Sequence, residues 1–143
     1  MATISVSTNV AAPIDQVFKV YTEIEKAAER IPDITALEVL SEGPFGEGTR
    51  WRETRVIMKK EATEEMWVTD VDPPNSYTVA SESHGMKYST LFSFTPEGDG
   101  TRVSWNANFQ MKGGARLFQP FLRGVFEKLS TEAMEGLKST LGP

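Results

Sequence analysis

Three charged residues near the middle of the chain fall on the same face of their predicted strands as apolar side chains. Glu53, Arg55 and Glu64 alternate in step with Trp51, Ile57, Ala62, Met66 and Val68. Burying a carboxylate costs free energy unless it is paired or protonated. If these charged side chains face inward, they would therefore indicate a functional site rather than a packed core. Glu53 and Arg55 are spaced to form an acid–base pair, and an inward Glu64 would suit general-base chemistry. The pattern equally allows these charges to face solvent, or a bulge to reverse the parity.

Nucleophilic and metal chemistry have little support in the sequence. There is no cysteine, which excludes disulfides, thiolate nucleophiles, Cys-ligated zinc and iron–sulfur clusters. The single histidine, His84, falls in a predicted hairpin tip, where an exposed turn residue is favoured over a general base. Asp70 and Asp72 have turn spacing without the calcium-loop pattern. We therefore predict no catalytic triad, no metal site and no cofactor.

Length and charge narrow the remaining functions. A chain of 143 residues suits one domain spanning residues 1–143. The net charge of -5 opposes binding to a phosphate backbone, so no nucleic-acid partner is expected. No apolar run approaches the roughly 18 residues of a membrane span, and the first residues lack a signal-peptide pattern. We expect a cytoplasmic protein that is a monomer or weak homodimer.

The elements that must position the charged residues begin with a strand and two short helices. Residues 3–10 alternate as a strand does, and Pro13 suits the first turn of a helix. The apolar stripe of that helix is Ile14, Val17, Phe18 and Tyr21. Residues 22–25 have capping-box spacing, which predicts a second short helix ending near Ile31.

Six further strands are predicted, near residues 34–41, 48–58, 60–70, 75–82, 86–95 and 101–110. Glycine- and proline-rich stretches separate them, at residues 43–48, 72–75 and 96–100. The last of these predicts a hairpin of the Asp-Gly type.

The last third of the chain predicts one long helix over residues 115–141, after Gly113 and Gly114. Its apolar face comprises Phe118, Phe121, Leu122, Val125, Phe126, Leu129, Ala133, Leu137 and Leu141. Pro120 would bend or break a helix that starts at 115, either as part of a lid over 113–120 or to follow the sheet. One helix about 10 Å across cannot fill a wide concave sheet, so we expect a lined hollow between them.

Side chains on one face of the predicted strands would form an apolar wall for this hollow. Two sets of alternating residues each lie on one face of a predicted strand. They are Tyr88, Thr90, Phe92 and Phe94 in one strand, and Val103, Trp105, Ala107 and Phe109 in the next. Each residue alone equally suits a packed core, but together they favour an apolar ligand, with tyrosine hydroxyls orienting it. The predicted ligand-binding residues are Trp51, Glu53, Arg55, Glu64, Met66, Tyr77, Tyr88, Phe92, Trp105, Phe118 and Leu122.

The order of elements and four short phrases resemble the SRPBCC superfamily, in particular its polyketide cyclase/dehydrase-like branch. The phrases are APIDQVF at 12–18, GEGTRWRE at 46–53, VDPP at 71–74 and GDGTRVSW at 98–105. The resemblance covers essentially the whole chain and implies an α+β, START-like helix-grip fold. In that fold a seven-stranded curved antiparallel sheet wraps around a long C-terminal helix, with two short helices after strand 1.

The resemblance leaves three functions open, because this superfamily includes lipid-transfer proteins, allergens, and aromatase/cyclases. We expect binding of a small hydrophobic molecule, such as a lipid, polyketide or other aromatic, between the sheet and the C-terminal helix. The first alternative is a cyclase, dehydratase or hydrolase with Glu53 or Glu64 as general base and Arg55 or Tyr88 holding the developing oxyanion. The second is a protein-interaction module of the chaperone-activator type, which predicts an exposed apolar patch and no open pocket.

Overall fold

The computed structural model describes residues 2–57, 59–83, 86–111, 117 and 119–141. The strands are β1 (Ala2–Val10), β2 (Ile34–Val39), β3 (Arg50–Ile57), β4 (Lys60–Asp72), β5 (Ser76–Ser83), β6 (Met86–Glu97) and β7 (Gly100–Met111). The helices are α1 (Ile14–Thr22), a 3-10 turn (Ile24–Lys26), α2 (Ala27–Arg30) and α3 (Gln119–Thr140). The predicted α+β fold and order of elements are confirmed.

All seven strands form one antiparallel sheet in the order β1-β7-β6-β5-β4-β3-β2. Consecutive strands are neighbours from β2 to β7, whereas β1 pairs with β7, with Val6 opposite Trp105. The chain therefore leaves β1 at one edge of the sheet and enters β2 at the other. The connection that crosses between the edges consists of α1, the 3-10 turn and α2.

The long helix α3 packs along β1 and against α1 and α2. Arg123 Nε donates a hydrogen bond to the carbonyl of Thr3 (3.1 Å), and Lys138 Nζ donates to Thr8 Oγ1 (3.2 Å). Residue numbers rise together along both elements, so α3 runs in the same direction as β1. The sheet, the short helices and α3 thereby surround one interior space.

The first short helix forms as predicted, but the capping box does not. Val17 and Tyr21 are the buried residues of α1. Thr22, predicted to cap a new helix, is instead the last residue of α1, and its hydroxyl donates back to the Phe18 carbonyl at 2.9 Å. The next element starts as a 3-10 turn at Ile24 without a side-chain cap.

The last hairpin turn differs by one residue from the prediction. Glu97 pairs with Gly100, so the two turn residues are Gly98 and Asp99 rather than an Asp-Gly pair. Gly98 has φ 60, and a turn with positive φ at its first central position favours glycine there. Gly100 is needed for a close approach instead, because a Cβ atom would lie 2.4 Å from the carbonyl oxygen of Val10.

The described part of the C-terminal helix runs from Gln119, and the predicted start near Ala115 lies outside the described residues. Pro120 lies in the first turn of α3 as described, where its missing N–H is not required. Phe121, predicted on the buried face, is 62% exposed, since it lies about 140° around the helix from Phe126. The predicted lid residues 113–116, and also Phe118 and His84, lie outside the described residues.

Candidate ligand-binding cavity

A cavity of about 270 Å³ lies between the concave face of the sheet and the helices. Its wall includes residues from all seven strands and from α1, α2 and α3. Most of these side chains are aliphatic or aromatic. The charged residues of the wall are Glu23, Glu53, Arg55 and Glu64.

The structure brings together nine of the eleven predicted ligand-binding residues on this wall. They are Trp51, Glu53, Arg55, Glu64, Met66, Tyr77, Tyr88, Phe92 and Trp105. Leu122 belongs to α3, but its side chain lies outside the described part, as does Phe118 entirely. That the nine bind a ligand stays a prediction.

The pairing of β3 with β4 fixes the direction of the charged side chains. Glu53 lies opposite Glu64, and Trp51 lies opposite Met66, with all four on the cavity wall. The alternate residues of β3 face the other side, where Arg50 pairs with an exposed glutamate at 2.7 Å. A bulge in β4 falls after Val68, so it leaves the parity of Glu64 and Met66 unchanged.

The carboxylate of Glu53 is buried, with 5% exposure, and both of its oxygens are hydrogen bonded. Trp51 Nε1 donates to Oε1 at 2.9 Å, and Arg55 Nε donates to Oε2. Burial alone would lower the pKa of Arg55, but the charges around it, chiefly the Glu53 carboxylate, together raise that pKa above its ordinary value. Glu53 and Arg55 therefore form an ion pair held in place by the indole.

The second polar pair joins Tyr88 of β6 to Glu64 of β4. The Tyr88 hydroxyl donates to Glu64 Oε2 at 2.6 Å and lies 3.2 Å from the sulfur of Met66. Burial raises the pKa of Tyr88 well above its ordinary value, and the charges of Glu64 and Glu53 raise it further. Tyr88 is therefore a protonated hydrogen-bond donor at neutral pH.

An aromatic cluster forms another part of the wall and ties α1 to the sheet. Trp105 Nε1 donates to the Tyr21 hydroxyl at 3.0 Å, and the Tyr77 hydroxyl donates to the Tyr21 carbonyl at 3.4 Å. Tyr77 and Phe92 stack with ring centroids 4.7 Å apart. The cluster offers flat apolar faces whose polar tips already have partners.

Sequence reasoning missed the part of the wall that the short helices supply. Those residues are Val20, Tyr21, Glu23, Ile24, Ala27 and Ile31. Their signal was only the apolar stripe of an amphipathic helix, which is typical of core packing as well. Tyr21 reaches the site through a contact with a residue 84 positions away, which no local pattern reveals.

The described ranges contain neither a cluster of metal-ligating side chains nor a membrane-spanning helix. Among these residues, no group of three or more histidine, cysteine, aspartate or glutamate side chains is placed to hold a metal ion. Within the same ranges, no helix has the length and apolar character needed to cross a bilayer.

Comparison with known proteins identifies the family. Residues 1–142 match the family described as "Polyketide cyclase / dehydrase and lipid transport". No protein of curated function matches the sequence significantly.

Solved structures with the same fold cover nearly the whole chain. TTHA0849 from Thermus thermophilus has a TM-score of 0.86 and 20% identity, covering 98% of this chain and 97% of that one. A START superfamily protein from Mycobacterium smegmatis has a TM-score of 0.82 and 15% identity, covering 97% and 96%. The di-domain ARO/CYC BexL from the BE-7585A biosynthetic pathway has a TM-score of 0.84 and 14% identity, covering 99% of this chain and 50% of BexL. The chain thus belongs to the polyketide cyclase/dehydrase and lipid transport family of the SRPBCC superfamily and has its helix-grip fold.

Proposed function

We propose that this protein binds a small, mostly hydrophobic molecule in the cavity between the sheet and the helices. The observation that carries the proposal is the cavity of about 270 Å³ with an aromatic wall and two hydrogen-bonded polar pairs. Protein interiors are otherwise close-packed, and empty apolar space lowers stability. We therefore infer that a ligand fills this space in the centre of the fold.

The size of the cavity favours a compact ligand. An apolar cavity of about 150 Å³ is large enough to hold benzene. A space of about 270 Å³ therefore suits a molecule of roughly two rings better than an intact two-chain lipid. The aromatic faces of Tyr77, Phe92 and Trp105 would contact the body of such a molecule, and the polar pairs would fix its orientation.

An enzyme of the cyclase or dehydratase type is the second candidate. It is favoured by one observation, the 2.6 Å hydrogen bond between Tyr88 and Glu64 on the wall of a largely apolar cavity. Glu64 would remove a proton next to a carbonyl group, and the Tyr88 hydroxyl, released from Glu64, would donate to the oxygen on which charge develops. Glu53 is less suited to be the base, because Trp51 and Arg55 already occupy its two oxygens.

The chaperone-activator alternative predicted no open pocket, so the cavity counts against it.

The proposal is tested by filling the cavity with a side chain. Ala107 lines the wall, whereas Ala80 lies on the opposite face of the sheet. Ala107→Phe and Ala80→Phe therefore make the same substitution on the two faces. The readout is the fluorescence of N-phenylnaphthylamine, an apolar dye that brightens when it is bound.

We expect saturable one-to-one binding to the wild-type protein and to Ala80→Phe, with at least a tenfold loss in Ala107→Phe. Circular dichroism checks that both variants are folded. Dye binding that is absent from the wild-type protein, or equally strong in both variants, would contradict a ligand in this cavity. Turnover of an aromatic ketone that disappears in Glu64→Gln would instead favour the enzyme.

A further inference from the structure

The hydroxyl of Tyr21 accepts a hydrogen bond, but the described residues give its own proton no acceptor. Trp105 Nε1 donates to this hydroxyl at 3.0 Å, and both residues line the cavity. A phenol can accept a hydrogen bond and donate one at the same time. Tyr21 is only 6% exposed, and a buried donor without an acceptor costs free energy. A partner for this proton is therefore expected on the cavity side of the ring.

The surroundings of Tyr21 keep the proton on the hydroxyl. Burial raises the pKa of Tyr21 well above its ordinary value, and this outweighs the hydrogen bond from Trp105, which lowers the pKa. The hydroxyl is therefore uncharged at neutral pH. Because hydrogen bonds in a chain polarise one another, a hydroxyl that accepts from an indole is also a stronger donor.

Tyr21 lies in a part of the cavity that differs from the two polar pairs. Its ring contacts Phe92, Phe94 and Trp105 edge-on, with centroids 6.1, 5.0 and 5.9 Å away. Phe92 follows Tyr88 by four residues in β6, which is about 13 Å along a strand. The aromatic rings around Tyr21 are all uncharged, so its hydroxyl is a neutral donor in apolar surroundings.

Two more hydroxyl groups line the cavity without a hydrogen bond to the described residues. They belong to Thr90 of β6 and Ser130 of α3. Other hydroxyls of α3 behave differently, because Thr131 and Thr140 each donate to the carbonyl four residues earlier, at 2.9 and 3.3 Å. The apolar part of the wall thus holds several hydroxyls that a neutral polar group of a ligand can use.

We propose that the Tyr21 hydroxyl donates a hydrogen bond to an acceptor oxygen of the ligand. The cavity would then select an uncharged aromatic molecule with a carbonyl or ether oxygen over a bare hydrocarbon. This inference rests on the proposed function, because it names the polar group that the bound molecule carries. An uncharged oxygen is favoured, since burying a charged group among the rings around Tyr21 would cost far more. Trp105 is a positioning residue, because its hydrogen bond holds the phenol in place.

Two probes of nearly equal shape test the proposal. Acetylnaphthalene carries a ketone, and isopropenylnaphthalene has a methylene group in place of the ketone oxygen. Each is titrated against N-phenylnaphthylamine bound to the protein. The ketone preference is the Kd of the hydrocarbon divided by the Kd of the ketone, and comparing it between variants cancels the different water solubilities of the two probes.

The variants are made in a Trp105→Phe background, because replacing Tyr21 alone would leave the indole N–H free to donate to the ketone. Trp105→Phe and Trp105→Phe/Tyr21→Phe then differ by one hydroxyl. We expect the ketone preference to be about tenfold smaller in the double variant. The matched control is Trp105→Phe/Tyr77→Phe, since the Tyr77 hydroxyl lies on the same wall but already donates to the Tyr21 carbonyl. Its ketone preference should stay within about twofold of that of Trp105→Phe.

The outcomes separate this inference from the proposed function. If both probes bind and loss of the Tyr21 hydroxyl leaves the ketone preference unchanged, the inference is wrong and the hydrophobic cavity stands. If neither probe displaces the dye from the wild-type protein, the proposed function itself is contradicted. If the variants do not fold, the infrared carbonyl stretch of acetylnaphthalene bound to the wild-type protein decides. A lower frequency than in hexane supports a hydrogen bond to the ketone, and an unchanged frequency overturns it.

Discussion

Glu53 of β3 and Glu64 of β4 lie directly opposite each other in the sheet, and both side chains line the same cavity. Like charges at directly opposed positions are destabilising, so each needs its own compensation. Arg55 and Trp51 supply it for Glu53, and Tyr88 supplies a hydrogen bond for Glu64. Buried charge of this kind is expected at a functional site rather than in a core selected for stability alone.

Removing the guanidinium should show how much Glu53 depends on it. Arg55→Met leaves a carboxylate with 5% exposure beside a second carboxylate, and we expect a loss of about 3 kcal/mol in the free energy of unfolding. The double variant Glu53→Gln/Arg55→Met should lose less than the two single variants combined, because the uncompensated charge is gone. Denaturant unfolding measures all three.

The matched control for that series is Arg52→Met. Arg52 is half exposed, and its contacts with Glu38 and Glu65 lie on the opposite face at 3.5 and 3.9 Å. Surface pairs contribute little, so the loss should stay below about 1 kcal/mol. A similar loss in Arg52→Met and Arg55→Met would mean that Arg55 behaves as a surface residue.

Tyrosine ionisation tests the burial of the cavity wall. Tyr21, Tyr77 and Tyr88 are the only tyrosines of the sequence, and burial raises the pKa of each. Their contribution to stability is complete below the unfolded pKa of about 10 and is lost as the pH rises above it, because the unfolded state releases the protons first. Tyrosinate absorbance should therefore appear only together with alkaline unfolding. One third of the signal titrating reversibly in native protein would show that one tyrosine is exposed.

Glu23 should make stability depend on acid pH. Its hydrogen bond from Arg30 lowers its pKa below the ordinary 4.5. The stabilising effect is therefore present above that value and is lost as the pH falls through the lower folded pKa. We expect Glu23→Gln to lose about 0.5 to 1 kcal/mol at neutral pH and to match the wild-type protein once the carboxyl group is protonated. Exposed Glu25→Gln is the control, and a difference for Glu23→Gln that persists unchanged in acid would rule out this cause.

Two glycines of α3 provide a paired test of how the helix docks. A Cβ atom at Gly136 would lie 2.2 Å from the carbonyl oxygen of Arg30, whereas one at Gly124 meets nothing within 4 Å. Gly124→Ala should raise the free energy of unfolding by about 0.5 to 1 kcal/mol, because alanine favours helix. Gly136→Ala should lower it by about 1 to 3 kcal/mol through overpacking. Stabilisation by both substitutions would contradict the close approach of α3 to α2.

The order of the elements could be predicted because the strands show alternation and most of the segments between them contain glycine or proline. The same period of two placed Glu53, Arg55 and Glu64 on one face, but only the pairing of β3 with β4 selects which face is buried. Local patterns gave a wrong prediction where one side chain can form either of two local hydrogen bonds. The Thr22 hydroxyl donates back into α1 instead of capping the next helix.

Apart from the pair of Glu53 and Arg55, the partners within the site could not be predicted, because they depend on contacts between distant segments. Tyr88 and Glu64 are 24 positions apart, and two intervening strand pairings bring them to 2.6 Å. The spacing of Glu53 and Arg55 predicts their pairing, and the structure shows the bond from Arg55 to Glu53. The wall contributed by Tyr21 depends on how α1 crosses the sheet, which its own sequence does not specify.

The indole N–H groups of the three tryptophans provide the most direct test of ligand binding in the cavity. Trp51 and Trp105 line the cavity. Trp67 lies on the opposite face, where the Arg50 Cζ atom is 4.9 Å from the centre of the Trp67 ring. Their nuclear magnetic resonance signals, assigned with single Trp→Phe variants, are followed as ethylnaphthalene is added. We predict that the Trp51 and Trp105 signals shift along one saturable curve while the Trp67 signal stays fixed. A shift of Trp67 alone, or no shift up to the solubility limit of the ligand, would contradict binding in the cavity.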